Sequence, residues 1–341
     1  LWGDAHMSHH VCMLHHQPHN RKKMIKDVKD TLWAFDAEWI PDPVAGRILY
    51  KLPADMPDAE VMQHMWRQAA KSRSLIPTEA DKVFDTHDFL NYGVERPYLK
   101  TNICRLVSVS IVMRRQSSDG NVKLFLRSIP NDWNDRESAK EQHIIRKFLE
   151  GLEQKMEDPD DKTAFNSKGY RKGVQLVGYN SMGADLSIFI QRAILHGLQF
   201  KKLNTRPTWA KDGVDYFDDK SAYNIDMQKL VGGFGRSNPS LNELAALSGI
   251  PGKMGTDGND VALLWLDGKL DEIVQYNEYD ALTTYLVFLR MAHFAGAFTT
   301  QQYEYEQELV AELIATLSQQ ERYAHLIAYQ EEWNRLKKIL A

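Results

Sequence analysis

The first sustained apolar run along the chain is Leu32-Trp33-Ala34-Phe35-Asp36-Ala37-Glu38-Trp39, which has strand length and carries two acids two positions apart. Residues i and i+2 of a strand leave the same face, so Asp36 and Glu38 point the same way. Pro41, Pro43 and Gly46 interrupt the run, and Ile48 to Leu52 could resume it as a short strand. From Asp58, read as a cap, Val61, Met62, Met65, Trp66 and Ala69 recur at helical spacing. This helix lies in an insertion of about residues 41–101, whose later part has no sustained period and reads as a long loop. Ile103 to Met113 and Val122 to Leu126 alternate on either side of Ser118-Asp119-Gly120-Asn121, which predicts a hairpin.

Beyond the hairpin, Glu137 to Met156 sets Ile144, Ile145, Phe148, Leu149 and Leu152 on one helical face. Val174 to Tyr179 predicts a strand, followed by a helix with a stripe of Leu186, Phe189, Ile190, Ala193 and Ile194 that Gly197 ends. Tyr223 to Met227 predicts another short strand, and Ser240-Leu241-Asn242-Glu243 has the spacing of a capping box. A glycine-rich loop from Gly249 to Asp260 precedes a long helix from Asp271 to about Ala295, and the remainder reads as one or two terminal helices. This order argues one α/β domain, with a mixed central sheet flanked by helices.

Composition narrows the class of function. A formal charge of −4 gives no global basic field, so a nucleic-acid partner would have to be met by local clusters such as Arg114-Arg115, Arg171-Lys172 or Lys201-Lys202. Two cysteines cannot build a disulfide framework, and Cys104 sits in an apolar strand, which fits a buried thiol in a reducing, cytoplasmic setting. No uncharged apolar run is long enough to span a membrane. Residues 1–23 crowd His6, His9, His10, His15, His16 and His19 without any period, and read as a disordered His-rich leader translated upstream of a natural start at Met13 or Met24. A metal-binding histidine tract is the alternative, opposed by the entropy of ordering it. Gly232-Gly233-Phe234-Gly235 lacks the ending of a phosphate-binding loop.

Two carboxylates side by side in an apolar strand repel unless protonated, paired or bound to a cation, and a divalent metal is the simplest compensation. Two further acids stand out. Asp185 falls in the first turn of a helix, where the helix dipole alone could account for it. Asp280 follows Tyr276 by four residues, so the two side chains share a helix face.

Taken together, Phe35-Asp36-Ala37-Glu38, the stretch Gly178-Tyr179-Asn180-Ser181-Met182-Gly183-Ala184-Asp185-Leu186, and Tyr276-Asn277-Glu278-Tyr279-Asp280 resemble the three motifs of the DEDD (DnaQ-like) superfamily of 3′-5′ exonucleases. The tyrosine of the third motif marks the tyrosine (DEDDy) subclass. The chain looks most like stand-alone relatives of the proofreading exonuclease domain of family B DNA polymerases. Asp226 and Gly249-Ile250-Pro251-Gly252-Lys253 also look like the family. Ala184 departs from it, standing where an aromatic residue is usual before the second-motif acid.

The resemblance implies a ribonuclease H-like fold over residues 24–298, with 299–341 as a C-terminal helical extension. It also implies that Asp36, Glu38, Asp185 and Asp280 hold two Mg²⁺ or Mn²⁺ ions about 4 Å apart around a scissile phosphate. On this reading Asp36 bridges both ions, Glu38 and Asp280 complete one site, and Asp185 helps the second. Tyr276 orients the attacking water, and Asn180, Phe35 and Ala37 are the candidate substrate contacts. The expected activity is release of nucleoside monophosphates from the 3′ end of single-stranded or frayed DNA, in DNA repair or in trans to a polymerase. An exoribonuclease would share every one of these residues, and a non-catalytic nucleic-acid-binding module could share the fold.

Overall fold

Strand β1 (Thr31–Pro41) sends Leu32 and Ala34 into one apolar layer and Trp33, Phe35 and Ala37 into the other. A strand that is apolar on both faces belongs in the middle of a sheet. In the computed structural model, which describes residues 24–25, 27–73, 88–155, 173–204, 214–232, 238–255 and 257–340, β1 is the central strand of five. The others are β2 (Cys104–Gln116), β3 (Val122–Ile129), β4 (Gln175–Gly178) and β5 (Asn224–Asp226), in the order β3-β2-β1-β4-β5. β1 runs antiparallel to β2 and parallel to β4, with a bulge between Glu38 and Trp39. The expected hairpin is β2 and β3, and the sheet is mixed as the sequence predicts.

The register with β4 covers only Leu32 to Ala34. Beyond that point, among the described residues, the stretch of β1 that carries Asp36 and Glu38 has no strand partner on its β4 side. Ligands of open α/β sheets gather at such a place, outside the ends of parallel strands.

Helices cover both faces. On one side α3 (Glu141–Lys155) and α4 (Asp185–Leu195) bury Ile144, Phe148, Leu152, Leu186 and Phe189 against Trp33 and Phe35. Gly151 of α3 lies against the Trp33 indole, where a Cβ would come within 2.8 Å of its ring edge. On the other side α8 (Leu270–Phe294) crosses β1 and β2. The terminal helices α9 (Thr300–Leu317) and α10 (Leu326–Leu340) share its apolar cluster through Val310, Ile314, Tyr329 and Trp333. Helices on both faces of this mixed sheet give a ribonuclease H-like α/β fold.

Buried ion pairs tie the elements together. Arg192 of α4 bridges Glu141 at the start of α3 (2.5 Å) and Asp42 just past β1 (2.8 Å). Arg114 of β2 and Glu306 of α9 pair at 2.6 Å, both almost without solvent contact, and Tyr285 of α8 donates to the same carboxylate.

Several elements differ from expectation. The stretch expected to resume as a strand is part of helix α1 (Pro43–Tyr50), capped by the Asp42 side chain at 3.0 Å from the Val44 amide. Pro43 starts this helix rather than breaking a strand, because a proline at the first helical position loses no intrahelical bond. Asp58 lies in the first turn of α2 (Asp58–Arg73), paired with Arg47 at 2.6 Å, and is not its cap. The short helices α5 (Met227–Val231), α6 (Leu241–Leu247) and α7 (Val261–Leu266) complete the chain order, and the Ser240–Glu243 capping box forms as its spacing predicts. The His-rich leader, Met13, Arg171-Lys172 and most of the Gly232–Gly235 turn lie outside the described residues. Among the described residues, no helix is long and apolar enough to cross a membrane.

Candidate active site

The even positions of β1 face α8, and there the apolar pattern Leu32, Ala34 changes to Asp36, Glu38. Asp280, on the facing turn of α8, brings its carboxylate to the same point. Asp36, Glu38 and Asp280 each offer an oxygen within 4.8 Å of the others. Asp36 is held in place: Asn277, one turn before Asp280, donates from Nδ2 to Asp36 Oδ2 at 2.9 Å. Asn277 in turn accepts from Ser108 Oγ of β2 at 3.0 Å, and both of these groups are completely buried.

Asp185 lines the same cleft as these three carboxylates but stands outside their group, and a tight turn after β4 places it there. Gly178 ends the strand where a Cβ would meet Ser181 at 2.4 Å, so only glycine fits. Asn180 adopts φ 59°, a left-handed conformation that asparagine tolerates better than most residues. The Asp226 carboxylate, at the end of β5, gathers the turn by accepting from the amides of Asn180 (2.9 Å) and Met182 (3.2 Å). It also caps α5. Asp185 then opens α4, and its carboxylate accepts from its own amide and from that of Ala37. The Ala37 amide thus meets a side chain where a β-strand would have continued. Ala184 precedes the helix without making a side-chain cap.

Tyr276 is 5 % exposed and shares a hydrogen bond with the Asp280 carboxylate one turn on. Burial, followed by the charges of Asp280, Glu38 and Asp36, holds its hydroxyl well above the usual tyrosine range. At neutral pH it is therefore a neutral hydrogen-bond donor rather than a base. The turn 257–260 closes over it, and a Cβ on Gly258 would stand 3.4 Å from the phenol oxygen.

The four acids are electrostatically frustrated. Burial, then the neighbouring carboxylates, pushes Asp36 and Glu38 well above the usual carboxylate range, and the two share a hydrogen bond. Burial lifts Asp185 to about 7 and Asp280 to about 6, the latter tempered by its bond to Tyr276. A site whose acids hold protons for want of opposing charge fits a divalent cation, and hard carboxylate oxygens suit Mg²⁺ or Mn²⁺. The acids open onto a cleft of ≈ 650 Å³ whose wall includes Tyr179, Tyr98, Asn242 and Lys253. Lys253 pairs with Asp257 at 2.7 Å, and its charge lowers the Asp280 carboxyl slightly.

The candidate substrate contacts fare unequally. Phe35 is 1 % exposed and packs into the core at a tilt against Phe148, on the face of β1 opposite Asp36, so its side chain is not available to a substrate. Ala37 lines the cleft. Asn180 is exposed, but its backbone shapes the turn and its side chain leans over Gly183. Ser108 and Asn277 are the residues that the sequence did not single out. Asn277 lies inside the third motif, three residues before Asp280, so helical spacing already sets it on the face toward β1.

A comparison of the chain with curated proteins gives no match. A match to a family of proteins begins after the first strand, so that Asp36 and Glu38 join the matched region through the pairing of β1 with β2 and β4. It continues through most of α10, consistent with the burial of the terminal helices against α8. That family, matched over residues 96–333, is described as predicted 3′-5′ exonucleases related to the exonuclease domain of PolB, and the chain belongs to it.

Proposed function

We propose that this 3′-5′ exonuclease removes nucleoside monophosphates from single-stranded or frayed DNA 3′ ends, with Asp36, Glu38, Asp185 and Asp280 holding two Mg²⁺ or Mn²⁺ ions. The observation that carries this reading is the convergence of Asp36, Glu38 and Asp280 oxygens within 4.8 Å in an open cleft. When bound, such ions supply the positive charge that four crowded carboxylates lack and polarise the scissile phosphate. The protein residues do the rest. Asn277 holds one oxygen of the Asp36 carboxylate, and the Ala37 amide supports Asp185. Tyr276, a neutral donor beside Asp280, is suited to orient a water for attack rather than to remove its proton. Without cations the acids repel the phosphates of a substrate, so productive DNA binding is coupled to metal binding. In a cell the enzyme would act on ends left by a separate polymerase or repair protein.

The test is degradation of single-stranded DNA and RNA of equal sequence, labelled at either end, with Mg²⁺, Mn²⁺ or EDTA, beside Asp36→Ala. Shortening from the 3′ end that needs metal, is lost in the variant and is faster on DNA is the expected outcome. Faster RNA shortening would transfer the reading to an exoribonuclease. Wild type and variant that bind both oligonucleotides and cut neither would remove the catalytic reading.

A further inference from the structure

Residues 91–99, from the insertion that follows β1, cross one side of the cleft as a strap. Its anchor is Arg96, 8 % exposed, whose guanidinium has every arm engaged. Nε donates to Phe89 O at 2.8 Å, Nη2 to Asn91 O at 2.9 Å and Nη1 to Asp260 Oδ1 at 3.1 Å, while Cζ lies 5.2 Å from the centre of the Trp66 ring. The backbone is bolted to the same turn. Arg96 N–H donates to Asn259 Oδ1 at 3.0 Å, Asn259 Nδ2 to Val94 O at 2.6 Å and Gly93 N–H to Asp260 Oδ1 at 3.2 Å. Asn259 and Asp260 belong to the turn that closes over Tyr276, so the strap and the candidate catalytic residues form one rigid wall.

What the strap shows to the cleft is an aromatic ring. Tyr98 is 73 % exposed and lines the same cleft as Asp36, Glu38 and Asp280, with Pro97 and Leu99 beside it. A phosphate would not be held here. Arg96 is spent on its own anchor, the exposed Glu95 adds negative charge, and Lys253, the other cation lining the cleft among the described residues, is paired with Asp257. An exposed ring on an anchored support, in a cleft whose two lining cations among the described residues are both engaged, suits the flat face of an unpaired nucleobase. We propose that the strap forms a nucleobase subsite in which Tyr98 stacks on a base of the unpaired 3′ strand and Arg96 holds the strap in register with the acids. The proposal rests on the exonuclease reading of the same cleft and deepens it: the enzyme grips its substrate by base stacking, which a paired end denies it. Because every base has a face to stack, the subsite is tolerant of sequence.

The experiment compares wild type, Tyr98→Ala and Tyr98→Phe, checked for equal thermal midpoints, on a single-stranded DNA with a fluorescent purine analogue near its 3′ end. Steady-state hydrolysis in Mg²⁺ and fluorescence-detected binding with Ca²⁺ in its place are both recorded. Stacking predicts a KM about tenfold higher for Tyr98→Ala, with the loss falling on KM rather than kcat, near-wild-type behaviour for Tyr98→Phe, and analogue fluorescence quenched by the two ring-bearing proteins only. Equal KM and equal quenching in all three proteins would overturn the proposal, as would a Tyr98→Phe as impaired as Tyr98→Ala. If wild type cuts nothing, the exonuclease reading fails by itself. The fluorescence arm then still decides the subsite: quenching lost only in Tyr98→Ala supports it, and quenching equal in all three overturns it.

Discussion

Asn277 carries no charge, yet it holds the Asp36 carboxylate at the edge of the cleft and is itself held by a fully buried bond from Ser108. Replacing it with leucine leaves Ser108 and one Asp36 oxygen without partners. Groups that orient a metal ligand typically cost about 10–100-fold in affinity or activity when lost, and Asn277→Leu is expected to raise the Mn²⁺ concentration for half-maximal activity within that range. A metal titration of the activity checks it. The acids themselves set a pH dependence. Asp185, at about 7, and Asp280, at about 6, titrate in the folded metal-free protein well above their unfolded value of about 4. Their contribution to stability is therefore complete below that unfolded value and is lost as pH rises through about 6 to 7. The thermal midpoint of the protein in EDTA should fall across this window, and Mn²⁺ should restore it most at the alkaline end. Asp36→Asn, by removing one of four crowded charges, should raise the midpoint in EDTA at alkaline pH while abolishing hydrolysis. A midpoint indifferent to both pH and Mn²⁺ would contradict the electrostatic account.

Among the elements, β1 and α8 were readable from sequence because each writes its own periodicity: two acids interrupt a strand pattern, and a long apolar stripe carries Tyr276 and Asp280. The period-two rule also separates Phe35 from Asp36, whereas the family resemblance assigned both to the cleft. Helix α1 was obscured because Pro43 reads equally well as a strand breaker and as a helix start, and α7 because its six residues are too few to show a period. What no local pattern contains is the meeting of Asn277 with Asp36, or of the strap with the 257–260 turn, since each joins segments far apart in sequence. Helix α3 supplies a sharp test of packing. Alanine normally stabilises a helix relative to glycine, but at Gly151 the added carbon would stand 2.8 Å from Trp33. Gly151→Ala is expected to destabilise by roughly 1–3 kcal/mol in urea unfolding, and a stabilised variant would show that the indole can move away.

Across the whole molecule, the terminal helices behave as part of one core. Glu306 of α9 neutralises Arg114 and receives the Tyr285 hydroxyl, and Glu278, beside the third-motif acid, is held by Arg322 at 2.6 Å and Ser128 at 2.5 Å. Removing one member of a buried pair strands the other charge, so Glu306→Ala should cost about 3–5 kcal/mol in chemical unfolding. Ending the chain after residue 298 should do more, by exposing the α8 surface that Val310, Tyr329 and Trp333 cover. A truncated chain that unfolds cooperatively at the wild-type midpoint would show those helices to be an independent appendage.

The 241 positions between Asp36 and Asn277 bear on how the protein is made. The ribosome releases β1 early and α8 late, so a growing chain carries Asp36 and Glu38 long before Asp280 emerges to meet them. The three-carboxylate group closes only when α8 reaches the sheet. A fragment that stops short of α8 is therefore expected to lack metal-dependent nuclease activity.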